Sequence, residues 1–358
     1  MGRIVLSGYY GFDNTGDEAV MYSIIKTLKE EIEDIHITVL SNNPKKTAST
    51  YDVEAVNRWK YNDIISALKK ADILISGGGS LLQDITSWKS IFYYLSIVII
   101  AKLLGKKVVF YAQGIGPIYK KINKILVRLI VNKVDYISVR DKQSKQELID
   151  MGIKKSIDVV ADPVLKLNVN VSKRVTNYDK KRLGVYLREW EKEDKFLEKI
   201  KDILKWFSKQ DWEIIFIPMH YPDDIKISKE ICKEINNATV FEGDYFPENI
   251  LKITSTMDYV ISMRLHGLIM AGAVGVPFLG LSYDPKVKNF VDTMGTGKSI
   301  DIYNINVEDT ISYLTWVINN LDELKEEIEV NRNKLLELQD KPIRFIKQLI
   351  NRGEDNYK

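Results

Sequence analysis

Arg3 to Ile32 reads RIVLSGYYGFDNTGDEAVMYSIIKTLKEEI. A β-branched run leads into a turn with glycines at 8, 11 and 16, and apolar residues then fall on one helical face from Ala19 to Ile32. A short apolar run followed at once by a helical period is the opening of a βαβ unit. The pattern recurs outward from it: HITVL (36–40), a helix over Asn62 to Lys70, DILISGGG (72–79), KVVFYAQGIGP (107–117), a helix near Lys121 to Asn132, DYISVRD (135–141), a helix over Gln143 to Met151, and IDVVADP (157–163). Six strands separated by helices predict a parallel sheet with right-handed crossovers.

From about Leu165 to Lys181 the text turns polar and loses its period, which marks an interdomain linker at 166–181. The grammar then repeats with RLGVYLR (182–188), a helix over Asp194 to Lys209, WEIIFIPMH (212–220), a helix to Asn236, ATVFEG (238–243), a helix to Ser255, DYVISMRLHG (258–267), PFLGLSYD (277–284) and KSIDI (298–302). Beyond Val307 the pattern is helical to near Asn351, broken or kinked at Pro342, and these helices are expected to pack back across both domains. The fold class is therefore α/β, with two Rossmann-like domains, 1–165 and 182–320, facing across a cleft that holds the active site, and C-terminal helices at 321–358.

Composition narrows the function. At 45% hydrophobic and 28% charged residues the chain is ordinary globular material, and 358 residues suit two domains of roughly 150–180. The balance of 52 Lys and Arg against 49 Asp and Glu argues against nucleic acid as a partner, so any anion site is local. One cysteine, Cys232, excludes an intrachain disulfide, and with three histidines no metal-ligand cluster is spelled out. The N-terminus lacks signal-peptide character, which with the single thiol predicts a cytoplasmic enzyme. Ile91 to Ala101 is almost wholly apolar but too short to span a bilayer, and reads as a buried crossover helix.

In such folds ligands bind at the carboxyl ends of parallel strands. The loop Gly8 to Glu18 lacks the GxGxxG spacing of dinucleotide sites and carries Asp13, Asp17 and Glu18, which would repel a pyrophosphate. Carboxylates and amides here suit sugar hydroxyls, with Asp13 or Asp17 removing a proton and Asn14 beside them; a helix cap at Asp17 and a turn at Asn14 are the structural alternatives. Glycine-rich or polar strand ends follow at Gly77 to Ser80 (with Gly78, Gly79, then Gln83 and Asp84), at Gln113 and Gly114, and at Arg140, for which a structural carboxylate partner is expected. The second half differs: Arg188, His220, and Arg264 with His266 put cations at three strand ends. That agreement favours an anion site over a salt bridge for any one of them, and the helix from Leu265 adds backbone donors. For His220 a packing role remains open.

The segment SMRLHGLIMAGAVGVP (262–277), with GYYGFDNTGDEA, SGGGSLLQD, AQGIGP, SVRD, ADPV and SYDPKVKNF, resembles the polysaccharide pyruvyltransferase family over about residues 3–320, and within it the cell-surface anchoring type. The resemblance implies an architecture similar to the B-type glycosyltransferase fold and transfer of the pyruvyl unit of phosphoenolpyruvate onto two sugar hydroxyls as a cyclic ketal. The implied acceptor is N-acetylmannosamine in a lipid-linked secondary cell-wall polymer precursor, and the product carboxylate is the group that surface-layer proteins recognise. By the same resemblance the donor meets Arg264 to His266 and Arg188, with Lys286 in SYDPKVKNF among the substrate contacts. His266 would move a proton or steady phosphate. No cofactor or metal is expected, since arginines can neutralise the leaving phosphate. A lipid-linked acceptor also suggests contact with the inner membrane surface through lysine-rich stretches at 45–46, 106–107 and 120–124.

Two rivals stand beside this reading. A nucleotide-sugar-dependent glycosyltransferase of B-type fold is expected to offer an acidic residue to the ribose, and none occurs between Arg264 and Pro277. A non-catalytic sugar-binding protein has no need of three converging cations.

Overall fold

The computed structural model describes residues 2–85, 88–167, 180–189 and 194–355. The chain divides into two units, Met1–Pro163 with Leu336–Lys358, and Val164–Leu335. The expected linker at 166–181 lies, from 168 to 179, outside the described residues.

The first unit runs β1 (Gly2–Ser7), α1 (Thr15–Glu31), β2 (Ile35–Ser41), α2 (Pro44–Tyr51), β3 (Glu54–Asn57), α3 (Tyr61–Lys70), β4 (Ile73–Gly77), α4 (Trp88–Leu103), β5 (Lys107–Gln113), α5 (Lys121–Val131), β6 (Tyr136–Val139), α6 (Lys142–Asp150) and β7 (Asp158–Val159). Its sheet is wholly parallel in the order β3-β2-β1-β4-β5-β6-β7. Central strands covered on both faces need apolar residues at successive positions, which is why β1, β4 and β5 read as continuous runs.

The sheet has seven strands where the sequence pattern predicts six. The addition is β3, an edge strand of four residues that are at most half-buried, too short and too polar to show a period. Its neighbour α2 was also unanticipated; PKKTASTY has little apolar face and starts on Pro44, with Asn43 Oδ1 accepting from Lys46 N–H at 3.3 Å. The apolar helix α4 buries Ile91, Leu95 and Val98 in the core but leaves Phe92, Ile99 and Leu103 exposed, so it is a crossover helix buried on one face only.

The second unit runs β8 (Arg182–Tyr186), α7 (Asp194–Lys209), β9 (Glu213–Phe216), α8 (Asp223–Cys232), β10 (Ala238–Val240), α9 (Pro247–Ser255), β11 (Tyr259–Ser262), α10 (Leu265–Ala273), β12 (Phe278–Ser282), α11 (Pro285–Met294), β13 (Lys298–Asp301), α12 (Val307–Asn319) and α13 (Leu321–Leu338). Its six strands are those the sequence predicts, all parallel, in the order β10-β9-β8-β11-β12-β13. On α7, Phe196, Ile200, Ile203, Leu204 and Phe207 recur at helical spacing and are fully buried, each contributing about 1.5–3 kcal/mol by leaving water. The last helix, α14 (Asp340–Asp355), belongs to the first unit, where Phe345 stacks on Tyr136 of β6 at 4.7 Å between ring centres. Both units are α/β of Rossmann type.

Candidate functional site

In a doubly wound parallel sheet the crevice forms where strand order reverses. In the first unit that point lies between β1 and β4. The loop after β1 reaches α1 through Asn14, whose Oδ1 accepts from Gly16 N–H at 3.1 Å, so Asn14 is the helix cap. Asp17, in the first turn of α1, is half-buried against the loop after β4; a Cβ placed on Gly79 would stand 2.7 Å from Asp17 Oδ1. Asp13 is 60% exposed and paired to Lys46 Nζ at 2.6 Å. Of the two carboxylates assigned to the acceptor, Asp17 is therefore the one at the switch point. Beneath the loop, the Tyr10 hydroxyl donates to Gly77 O; burial first, and then the Asp17 charge, push its pKa well up and keep it a donor.

The loops after β4 and β5 remain paired beyond their strands, with Gly114 N–H on Gly79 O at 2.9 Å and Gly116 N–H on Leu82 O at 2.8 Å. Gln113 is fully buried and spends its amide N–H groups on Ser76 O and Oγ, at 3.1 and 2.6 Å. Gln83 Oε1 accepts from Ile85 N–H at 2.8 Å in a local turn. Arg140, nearly buried, meets Ser80 Oγ at 3.1 Å, Asp162 at 3.4 Å and Asp141 at 3.7 Å. Gly78 has φ +74°, and a Cβ there would lie 2.0 Å from Val20 Cγ1 on α1. Gly78→Ala is accordingly expected to destabilise the protein by about 2–4 kcal/mol, from a left-handed backbone and an overpacked contact together. An unshifted midpoint in urea denaturation would show that loop and helix part without cost.

One residue the sequence reading passed over organises this loop. Arg58, directly after β3, is 2% exposed; Nη1 donates to Gly8 O at 2.7 Å and Nη2 to the Tyr94 hydroxyl at 3.2 Å. The rings of Tyr9, Phe12, Trp59, Tyr93 and Tyr94 lie 4.6–5.9 Å from its Cζ. Ring quadrupoles and a carbonyl thus replace the water this cation gives up. Burial pushes the Tyr93 phenol up to about 12, against the opposing pull of Arg58.

In the second unit the reversal falls between β8 and β11, where Arg188 and the Arg264–His266 segment end their strands. Arg188 reaches across β11 to the end of β12: its Nη1 donates to the Tyr283 hydroxyl at 2.9 Å, and its guanidinium lies 4.9 Å over that ring. Arg264 makes the salt bridge that the sequence reading had set aside. Its Nε donates to Asp224 Oδ2 at 3.0 Å and its Nη2 to Oδ1, and Asp224 is fully buried. The same carboxylate accepts from Met219 N–H at 3.1 Å and His220 N–H at 3.0 Å, fastening the loop after β9 to the loop after β11. Three of the five guanidinium N–H groups lie outside this pair, so Arg264 is oriented by Asp224 rather than used up.

α10 begins at Leu265 with no side-chain cap and no acidic residue in its first turn, which leaves its leading N–H groups and its dipole suited to an anion. His266, in that turn, is half-buried with Nε2 shielded from solvent. His220 Nδ1 lies 3.2 Å from Asp223. Lys286 Nζ is 3.6 Å from Asp284, which caps α11 through Lys286 N–H at 2.9 Å. Asp224 and Tyr283 were not anticipated: each follows a strand, but its partner is 40 or 95 residues away and identifiable only from strand order. Among the described residues no group of three or more His, Cys, Asp or Glu could hold a metal ion.

Residues 14–285 match the family described as Polysaccharide pyruvyl transferase. No curated protein sequence matches. Among solved structures the chain is similar to a Staphylococcus aureus MnaA–UDP complex, with 14% identity, coverage of 98% of this chain and 97% of that one, and a TM-score of 0.66. It is also similar to Anabaena Alr3699/HepE in complex with UDP-glucose (9% identity, 97% and 100% covered, TM-score 0.65). A glycosyltransferase from Rickettsia africae ESF-5 matches likewise (14%, 98% and 98%, TM-score 0.63). At these identities the likeness is one of fold.

Proposed function

The chain belongs to the polysaccharide pyruvyl transferase family and is a transferase, and from that premise we propose that it moves the pyruvyl group of phosphoenolpyruvate onto a sugar as a cyclic ketal with release of phosphate. What supports the donor assignment is that Arg188, Arg264 and His266 follow the two strands, β8 and β11, that flank the reversal, and that α10 begins there with no side-chain cap. A carboxylate and a phosphate on one small molecule would use these groups fully. The acceptor belongs by this reading to the carboxylate-bearing loop at the β1/β4 reversal, with Asp17 as base. We take it to be N-acetylmannosamine in a lipid-linked secondary cell-wall polymer precursor, as in the cell-surface anchoring type, handled in the cytoplasm at the membrane's inner face.

The chemistry runs in balanced steps. A proton, delivered by His266, adds to the methylene carbon of the enol phosphate and leaves an oxocarbenium-like carbon. One sugar hydroxyl adds there and gives up its proton to the base. The carbon–oxygen bond to phosphate then breaks, inorganic phosphate departs with the electron pair, and the second hydroxyl closes the ring, losing its own proton. Arg188 and Arg264 neutralise the departing phosphate, so the scheme needs no metal.

UDP in the similar structures supports a second reading, nucleotide-sugar-dependent glycosyl transfer. Against it, α10 carries no acidic residue for a ribose. Melting in the presence of each ligand separates the two. Phosphoenolpyruvate at a hundredfold excess over its Kd should raise Tm by about 5–10 °C. UDP should leave Tm unchanged. A shift with UDP and none with phosphoenolpyruvate would replace the first reading by the second; no shift with either would remove both.

A further inference from the structure

Helices α4 and α5 link β4 to β5 and β5 to β6, so right-handed crossovers set both on one side of the first unit's sheet, where they pack together. Their inner faces close the core through Ile91, Leu95 and Val98 and through Val127 and Val131. Their outer faces are not polar. On α4, Phe92, Ile99 and Leu103 are 38%, 41% and 81% exposed; on α5, Ile122, Ile125 and Leu129 are 54%, 44% and 55% exposed at i, i+3, i+7 spacing. Beside that second stripe run Lys121, Lys124 and Arg128, also exposed and at the same spacing.

The stretch of sequence that carries this face is one-sided in charge. From Ile85 to Val134 the sequence holds nine of the chain's 52 Lys and Arg and none of its 49 Asp and Glu, so the remainder carries 43 cations against 49 anions. Two acidic residues border the stretch. Asp135 pairs with Lys102 and Lys107, at 2.7 and 3.4 Å. Asp84 accepts from Tyr119 N–H, Lys120 N–H and Asn123 Nδ2, at 2.8, 3.0 and 3.0 Å.

We propose that the outer face of α4 and α5 docks on an anionic phospholipid bilayer. Exposed isoleucine and leucine flanked by lysine and arginine on a short helix are the pattern of an element lying in the interface, apolar side chains in the acyl boundary and cations among the headgroups. A second copy of the chain is the poorer occupant, because a two-fold contact would set this cationic face against itself. Among the described residues no helix is long and apolar enough to cross a membrane, so the contact is superficial. Through Asp84 the start of α5 is tied to the loop that follows β4. The inference rests on this surface alone and stands whichever group the enzyme transfers.

Flotation with lipid vesicles tests it. The whole protein should rise with phosphatidylcholine vesicles containing about 30 mol% phosphatidylglycerol, stay behind with phosphatidylcholine alone, and release as salt goes from about 0.1 to about 0.5 M. I125E/L129E and K121Q/K124Q/R128Q should each weaken binding about tenfold or more without moving the melting transition, since all five side chains are exposed. Failure of the parent to bind the anionic vesicles would overturn the proposal, as would equal binding by both variants. Sedimentation showing a parental dimer that I125E/L129E splits would assign the face to a second copy instead.

Discussion

Arg264→Ala is expected to weaken phosphoenolpyruvate binding about thirtyfold or more while also lowering the melting transition. The two effects have different origins. On the proposed donor assignment, the donor's oxygens lose the planar fork of Arg264. Independently, Asp224 is left fully buried without its cation, and breaking such a pair costs about 3–5 kcal/mol. Arg264→Ala alone therefore confounds a binding role with a packing role. The double variant R264A/D224N removes the stranded charge while its amide oxygen can still accept from Met219 or His220 N–H. It should recover much of the lost Tm and none of the lost affinity. Arg264→Lys keeps the charge without the fork and should bind the donor only in part. Recovery of donor binding together with Tm in the double variant would reduce Arg264 to a structural residue.

His266→Gln is the second large effect, and it should appear in turnover. Glutamine keeps much of the size and some hydrogen bonding but cannot exchange a proton near neutral pH. Loss of a general acid costs about 10²–10⁴ in kcat, with KM for the donor changed little. Because α10's own N–H groups and the two arginines remain, anion binding should survive. Steady-state kinetics on the variant, with folding checked by its melting transition, decide the point: unaltered kcat excludes proton transfer by His266, and a rise in KM at constant kcat makes it a donor contact.

The sheets were legible because strands covered on both faces must be apolar at successive positions, as in Arg3 to Ser7 and Lys107 to Ala112. β3 was not, since an edge strand such as Glu54–Asn57 has one exposed side and only four residues. The candidate site divides in the same way. Which residues stand at strand ends follows from the order of runs and turns, so Arg188, Arg264, His266 and Asp17 could be named from the text. Which groups meet there depends on the lateral order of strands. Arg264 finds Asp224 because β8 alone separates β9 from β11, and Arg188 finds Tyr283 because only β11 separates β8 from β12. Neither adjacency is a property of local sequence. For Arg58, a lone Arg-Trp after a weak strand gave no hint of five surrounding rings.

That aromatic cage alters where the enzyme's selectivity can change over generations. Rim strands of a sheet are ordinarily places where substitutions accumulate at little cost. Here the rim residue Arg58 holds the carbonyl of Gly8, and Gly8 opens the loop that carries Asp13 and Asp17. A substitution at Trp59 or Tyr93 that loosens the cage would free that loop without touching any residue assigned to meet the sugar. On the proposed assignment of this loop to the acceptor, divergence in acceptor choice is expected to arise through the residues after β3 and their partners on α4, and a directed library confined to positions 57–59 and 93–94 would sample it.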